Sequence, residues 1–413
     1  MGLWGKAKAA VSVKAAVKGL FSKRKDHAAP VLDLRGVVVA ADIADVYAIQ
    51  RRLGEGQTAI VYEGRRLADG KTYALKAFRE IDSGDGLRDE VEVLRAMPSH
   101  PGIVGLTEIV STPGCVYLAM ELVAGGDLLS PIEERGAYRE KQAVSLFAQI
   151  VDAVDAMHQS TIVHRDLKPE NVCFTDQGRN RIKIIDMGAA GFLSESGLSD
   201  LCGTPLYAAP EVTPWFFAAD NPSAREPNKY DERVDLWSMG VALYVMLTGA
   251  APFDQEQPVE ALLKQVCKGK LAMSSPDWRG ISNDAKAVVR GLLAVDPARR
   301  LPMAELRGHP WLREQLEQLQ REKTLFIAEK EAEREEAEAG ANPANDDPEL
   351  HVGLSYLSRC VRRHEAAAAA RMPMGTHARV HPHVHGTCTA RVHTGACCAT
   401  RRRAGPPTAS RSS

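Results

Sequence analysis

The chain has no apolar run approaching the ~20 residues needed to cross a bilayer, which sets aside a membrane-spanning protein. It also has no excess of either charge. In its 413 residues, 52 Lys and Arg stand against 53 Asp and Glu, a formal net charge of -1. That balance excludes a whole-molecule electrostatic role such as coating nucleic acid, and no nucleic-acid partner is expected. Its 8 cysteines form no disulfide framework for a protein of this size, so a reducing compartment is expected. Two local absences matter more. No acid precedes Asp26, although Lys6, Lys8, Lys14, Lys18, Lys23, Arg24 and Lys25 do. From about residue 364 onward the chain has almost no large apolar residue. What is present, a hydrophobic fraction of 45%, is enough for a sizeable core.

Composition shifts divide the chain into four parts. Residues 1–46 form a basic leader, expected to be unstructured or targeting. Within it, 1–25 reads as an imperfect basic amphipathic helix of the kind that imports into an organelle or rests on a membrane surface. The Met-Gly start allows N-terminal lipidation, but Lys6 stands where a myristoylation signal wants Ser or Thr, so the signal is weak. Residues 47–312 have globular texture. Strand-like runs at Val46–Leu53, Thr58–Arg65, Thr72–Arg79, Ile103–Val110 and Cys115–Leu122 surround one early helix over 86–97. A helix over 139–158 follows, with Val144, Phe147, Ile150, Val151, Val154 and Met157 on one stripe. Strands first and helices afterwards imply an α+β architecture, a small β-rich lobe joined to a larger α-helical lobe. Residues 313–339 predict a long, exposed, charged helix. Residues 340–413 read as a low-complexity tail expected to be disordered. Its His and Cys residues match no tetrahedral zinc spacing.

The chemistry is concentrated in a few segments. Leu53-Gly54-Glu55-Gly56-Gln57-Thr58-Ala59-Ile60-Val61 is a glycine turn between strands, where backbone amides can approach phosphate oxygens. Taken alone it is only a hairpin. Ala74-Leu75-Lys76 puts a cation in the next strand, and Glu90 on the following helix can hold it. Far more specific is Ile162-Val163-His164-Arg165-Asp166-Leu167-Lys168-Pro169-Glu170-Asn171-Val172. Here Asp166 suits a general base for an alcohol, Lys168 can neutralise a transferring phosphoryl group, and Asn171 offers a hard oxygen to magnesium. Ile184-Ile185-Asp186-Met187-Gly188 supplies a second metal-binding carboxylate at the end of an apolar run.

These motifs resemble the eukaryotic protein kinases over about residues 47–312, in a bilobal fold that uses ATP and Mg2+. The resemblance implies that Leu53, Gly54, Glu55 and Gly56 lie in the phosphate-covering loop, with Ala59 in place of its third glycine. Lys76 and Glu90 become the activating ion pair, Asp166 the catalytic base, and Asn171 and Asp186 the metal ligands. Met120 becomes the gatekeeper, and Glu121 and Val123 the hinge that holds adenine. Val61, Ala74 and Cys173 sandwich the ring, and Asp127 reaches the ribose. Leu94, Leu106, His164 and Met187 match the hydrophobic spine between the lobes.

Asp-Leu-Lys-Pro-Glu-Asn, with Thr204 in Gly203-Thr204-Pro205, is similar to the serine/threonine subclass. Glu211 of Ala209-Pro210-Glu211 is expected to pair with Arg300, and Asp235 to brace the catalytic loop. Gly125-Gly126-Asp127-Leu128 and His309-Pro310-Trp311-Leu312 resemble the calmodulin-kinase-like branch. Calmodulin targets are basic amphipathic helices, whereas 313–339 is balanced to acidic, so that switch is not visible.

The implied activity is transfer of the ATP γ-phosphate to Ser or Thr of protein substrates by a monomer. Basic residues before the acceptor are favoured, because the family uses Asp127 and Glu170 to attract arginine. Val245, where the most arginine-selective members carry a further acid, weakens that preference. Arg165 marks kinases whose activation segment is ordered by an anion, and counting back from Thr204 places Asp200 at the usual phosphorylation site. Met187 replaces the usual Phe of Asp-Phe-Gly, a flexible apolar substitute. Residues 214–229 read as an inserted loop near where protein substrates dock. The rival function is a pseudokinase scaffold, which would lose Lys76, Asp166 or Asp186; all three are present. A cytoplasmic location is expected, with organelle import or membrane-surface attachment through the leader as the alternative.

Overall fold

A computed structural model describes residues 37–56, 59–79, 85–195, 197–199, 202–214 and 229–324. The chain divides into two units, Met1–Arg334 and Glu335–Ser413, and the second lies entirely outside the described residues.

The first unit begins with strands β1 (Val37–Val39), β2 (Tyr47–Glu55), β3 (Ala59–Arg66) and β4 (Thr72–Arg79), then helix α1 (Asp85–Ala96). Strands β5 (Leu106–Thr112) and β6 (Cys115–Glu121) complete a six-stranded sheet in the order β1-β5-β6-β4-β3-β2. The hairpin pairs β2–β3, β3–β4 and β5–β6 run antiparallel, as short turns require, and so does β4–β6, while β1 joins β5 in parallel, with Val38 opposite Val110. Buried Tyr73, Leu75 and Ala77 alternate with half-buried Ala74 and Lys76 along β4. This period of two sends Lys76 to the face opposite the packed one.

The predicted leader therefore ends too late. Residues 37–46 belong to the lobe: Asp42 and Asp45 cap a 3-10 turn reciprocally, and Ile43 is buried beside Tyr47, Leu75 and Val110. Three valines are too short a run to show periodicity, which is why the sequence hid this strand. The expected strand Ile103–Val110 is also displaced. Ile103 and Val104 instead bridge to Ile184, and pairing with β6 starts at Leu106.

The second lobe is helical. It contains α2 (Ser130–Arg135), α3 (Glu140–Gln159), short hairpin strands β7 (Ile162–Val163), β8 (Val172–Phe174), β9 (Ile182–Ile184) and β10 (Gly191–Phe192), then α4 (Arg233–Thr248), α5 (Val259–Lys268), α6 (Asn283–Leu292) and α7 (Met303–Gly308). Helix α4 is buried from Val234 through Leu247, because its sequence is apolar all round. It ends at Gly249, whose φ of 71° carries the amide back to the Val245 carbonyl.

The last helix among the described residues, α8, covers 310–324 without a break at residue 312. Its charged sequence conceals a packed face. Leu312 and Leu316 are buried, Leu319 is partly buried, and the Trp311 ring lies 6.2 Å from that of Phe147. The expected exposed helix is thus docked as far as it is described. Residues 325–339, the tail, most of the 214–229 loop and Asp200 lie outside the described residues.

Candidate active site

The catalytic loop connects β7 to β8, and its shape is set from below by Asp235 on α4. One Asp235 oxygen accepts the Arg165 amide at 2.8 Å; the other accepts the His164 amide and faces His158 Nε2, each at 2.8 Å. Arg165 adopts φ 66°, a conformation non-glycine residues rarely hold without such anchoring. Burial of Asp235 works against its charge, but the contacts from His158 and from His164, including the His164 amide, outweigh it and hold the carboxyl below the ordinary range.

Above this base, Asp166, Lys168 and Thr204 form a closed triangle. Lys168 Nζ lies 2.7 Å from Asp166 Oδ2 and 2.7 Å from Thr204 Oγ1, and the Thr204 hydroxyl donates to Asp166 Oδ1 at 2.7 Å. Asn171 donates its amide to the Asp166 carbonyl at 2.8 Å, which leaves its side-chain oxygen as the free acceptor. Thr204 can come this close because Gly203, at φ +91°, passes where a Cβ would sit 2.5 Å from the Arg165 carbonyl. The activation segment is clamped further on by Glu211 and Arg300, paired through two bonds of 2.6 and 2.9 Å.

Across the cleft, Lys76 Nζ lies 2.5 Å from Glu90 Oε1 and 3.0 Å from Asp186 Oδ1. Burial alone would make Lys76 give up its proton more easily. The facing carboxylates of Glu90 and Asp186 outweigh that, so it holds the proton more tightly than a free lysine. Gly188 passes close to this trio, since a Cβ there would lie 3.2 Å from Asp186 Oδ1 and 3.4 Å from Lys76 Nζ. Desolvation opposes the charge of Asp186, but Lys76 and the Gly188 amide hold its carboxyl below the ordinary range.

The residues expected on the adenine side fall into two groups, one on the sheet and one in the second lobe. Ala74 pairs with buried Met120 across the strands, Val61 pairs with Lys76, and Cys173 bridges to Asp127. Burial pushes the Cys173 thiol up to about 12, so it serves as a small neutral surface. The Glu121 side chain turns away to Lys183 at 2.9 Å, leaving only its backbone for the hinge. Asp127 accepts the Ser130 amide at 2.6 Å and its hydroxyl at 2.9 Å, so it anchors α2 as well as facing the cleft. Leu53 and Glu55 are exposed, with Glu55 paired to Arg52; Gly54 lies within β2 opposite Val61, and Gly56 follows β2 with its amide bonded to the Ala59 carbonyl at 2.8 Å. Leu94, Leu106 and Met187 share one core cluster, and His164 is fully buried.

Among the described residues no three His, Cys, Asp or Glu side chains gather as a metal cage. Magnesium does not need one, since it binds through one or two protein oxygens together with phosphate and water. Asn171 and Asp186 fit that role.

The protein kinase domain family matches residues 47–312. This chain belongs to the protein kinase family. The kinase is 35% identical over 278 residues to myosin light chain kinase A of Dictyostelium discoideum, covering 66% of this chain and 90% of that one. It is 37% identical over 275 residues to human calcium/calmodulin-dependent protein kinase type 1B, covering 66% and 76%. To human calcium/calmodulin-dependent protein kinase type IV it is 35% identical over 272 residues, covering 65% of this chain and 55% of the relative. The kinase is an ATP-dependent serine/threonine protein kinase of the calmodulin-kinase-like branch, and its family works with ATP and magnesium.

Two groups that shape the site were not singled out in the sequence. His158 contacts Asp235, and Ser130 occupies Asp127. The Asp235 contact spans 77 positions, and an ordinary helix histidine gives no sign of it. Ser130 was more legible, as a hydroxyl three residues after an Asp at a helix start.

Proposed function

We propose that this kinase phosphorylates serine and threonine hydroxyls preceded by basic residues. Asp166 orients the acceptor and takes its proton, held in place by Lys168 and Thr204. Lys168 then faces the charge on the transferring group, and Lys76 holds the nucleotide phosphates. Asn171 and Asp186 hold magnesium, which when bound neutralises phosphate charge. Leu53 to Gly56 cover the phosphates, while Val61, Ala74, Cys173 and the Glu121–Val123 backbone frame the base.

The observation that carries the basic preference is Glu170. One of its carboxylate oxygens is buried and has no partner, and the same is true of the Tyr207 hydroxyl, whose proton is held tightly by burial and by the Glu170 charge. A buried carboxylate without a partner is costly, and an incoming guanidinium or ammonium supplies one. Val245 is apolar and buried, so that position on α4 adds no acid to the task.

The test is kcat/KM for two serine peptides that differ only in Arg or Ala before the acceptor. The Arg peptide is expected to win by about tenfold with the native kinase and about twofold with Glu170→Gln. Equal use of both peptides by the native kinase would refute the preference.

We also propose that the kinase acts as a monomer in the cytoplasm and that residues 1–25 attach it to anionic membrane surfaces. Their one-signed charge supports the attachment. Asp200 is proposed to stand in for activation-loop phosphate, supported by its position before Thr204 and by Arg165 in the catalytic loop.

A further inference from the structure

The ion pair that aligns Lys76 depends on where α1 sits, because Glu90 is carried on that helix. Helix α1 runs into the loop 97–105, which is fastened to the other lobe. Gly102 and Val104 exchange backbone bonds of 2.9 Å with Ile184, two residues before Asp186. His100 shapes the start of this loop by accepting the Gly102 amide on Nδ1 at 3.0 Å.

With Nδ1 engaged as an acceptor, the ring proton belongs on Nε2, which lies 3.2 Å from Asp152 Oδ2 on α3. Lys323, on the last described turn of α8, donates to the same Asp152 oxygen, and this shared carboxylate holds its ammonium 2.7 Å from His100 Nε2, a donor-to-donor approach rather than a hydrogen bond. Arg307 of α7 approaches the other Asp152 oxygen at 3.4 Å and Asp155 at 3.1 Å. Asp152 is therefore a buried hub where the loop, α7 and α8 meet. Burial disfavours its charge, and the contacts from His100 and Lys323 reverse that, holding its carboxyl well below the usual range.

We propose that Lys323 is a positioning residue for phosphoryl transfer, fixing Asp152 and the His100 loop so that α1 keeps Glu90 against Lys76. The catalytic unit then extends beyond the family domain, which ends at residue 312, through the turn that carries Lys323. The chain of contacts is continuous, from Lys323 to Asp152, to His100, through the loop 97–105 and into α1. Without the Lys323 ammonium, buried Asp152 keeps only His100 and the longer 3.4 Å contact from Arg307, and the loop loses part of its fixed seat.

The rival is that α8 only adds packing, through Leu312, Leu316 and Leu319. Glu322 separates the two, because it lies beside Lys323 yet pairs with Arg181 and touches neither His100 nor Asp152. In the full chain, Lys323→Ala should lower kcat about fivefold with the peptide KM within about twofold, and Lys323→Arg should restore most of it. Glu322→Ala should stay within about twofold of native.

Amide exchange gives a second readout that needs no activity. Lys323→Ala should speed exchange across 86–96 while leaving α4 unchanged. The inference rests on the kinase reading of the site. An inert native chain would refute that reading, whereas an active native chain with a native-like Lys323→Ala would refute this inference alone. It is also overturned if Glu322→Ala costs as much as Lys323→Ala, if Lys323→Arg fails to recover, or if exchange rises equally in α1 and α4.

Discussion

The two walls of the cleft are built on different terms. On the acceptor wall, each polar group that handles the hydroxyl is fixed by another: Asp166 by Lys168 and Thr204, the loop backbone by Asp235, and the activation segment by Glu211 with Arg300. On the nucleotide wall, a single cation is held by two carboxylates, one of them, Asp186, nearly half exposed at 46%. Around it Leu53 and Glu55 stand in solvent. A hydroxyl is small and neutral and gives little binding energy, so the protein must prebuild the geometry that receives it. A polyphosphate brings its own charge and can complete a wall left open for it.

This contrast can be broken most severely at Asp235. Replacing it with Asn keeps the shape but removes the charge that seats two amides and His158, and it should cost about 3–5 kcal/mol of stability. Activity should fall by at least about a hundredfold through the displaced loop. Urea denaturation and a peptide assay measure both. Because the Asp235 carboxyl is held below its unfolded range, its contribution is present above about pH 4 and is lost as pH falls through the folded value. The native and Asp235→Asn stabilities should therefore converge in acid. Parallel curves would mean the carboxylate is not what holds the loop.

A smaller effect is expected at Glu170, which burial pushes above the ordinary carboxylate range. Its sign is opposite. A raised carboxyl stabilises the fold below its unfolded value and loses that contribution as pH rises, so Glu170→Gln should raise Tm slightly at pH 7.5 while erasing the arginine preference. In the native kinase the arginine advantage should fade as pH is lowered toward the Glu170 range. An advantage that stays constant until the fold itself is lost in acid would assign the preference to another group.

The smallest effect belongs to the leader. Deleting residues 1–30 leaves β1 and the capped turn at Asp42 in place, so kcat and Tm should stay near native while vesicle binding is lost. An unstable truncation would show that the leader packs on the sheet.

Legibility in the sequence followed the range of the forces involved. Strand β4 was read with its observed limits, and α3 within one residue at each end, because alternation and a helical stripe are local signals. The Asp166–Asn171 loop and Asp186 were readable because their chemistry demands residue types in a fixed order. Elements that depend on distant partners were not. Ile103 and Val104 look like strand but bind Ile184 in the other lobe, and β1 needs β5 to exist at all. Helix α8 reads as solvated because charged residues outnumber Leu316 and Leu319, although their spacing from Leu312 continues one face. The pairing of Lys323 with Asp152 crosses most of the domain and leaves no local trace.

The most direct test of the account is product mapping with a degenerate peptide library and labelled ATP, using the native kinase, Asp166→Asn and Lys76→Met with matched circular dichroism spectra. The account predicts phosphoserine and phosphothreonine from the native protein and a loss of at least about a thousandfold in both variants with the fold unchanged. Phosphotyrosine as the main product, or native turnover by either variant, would contradict it.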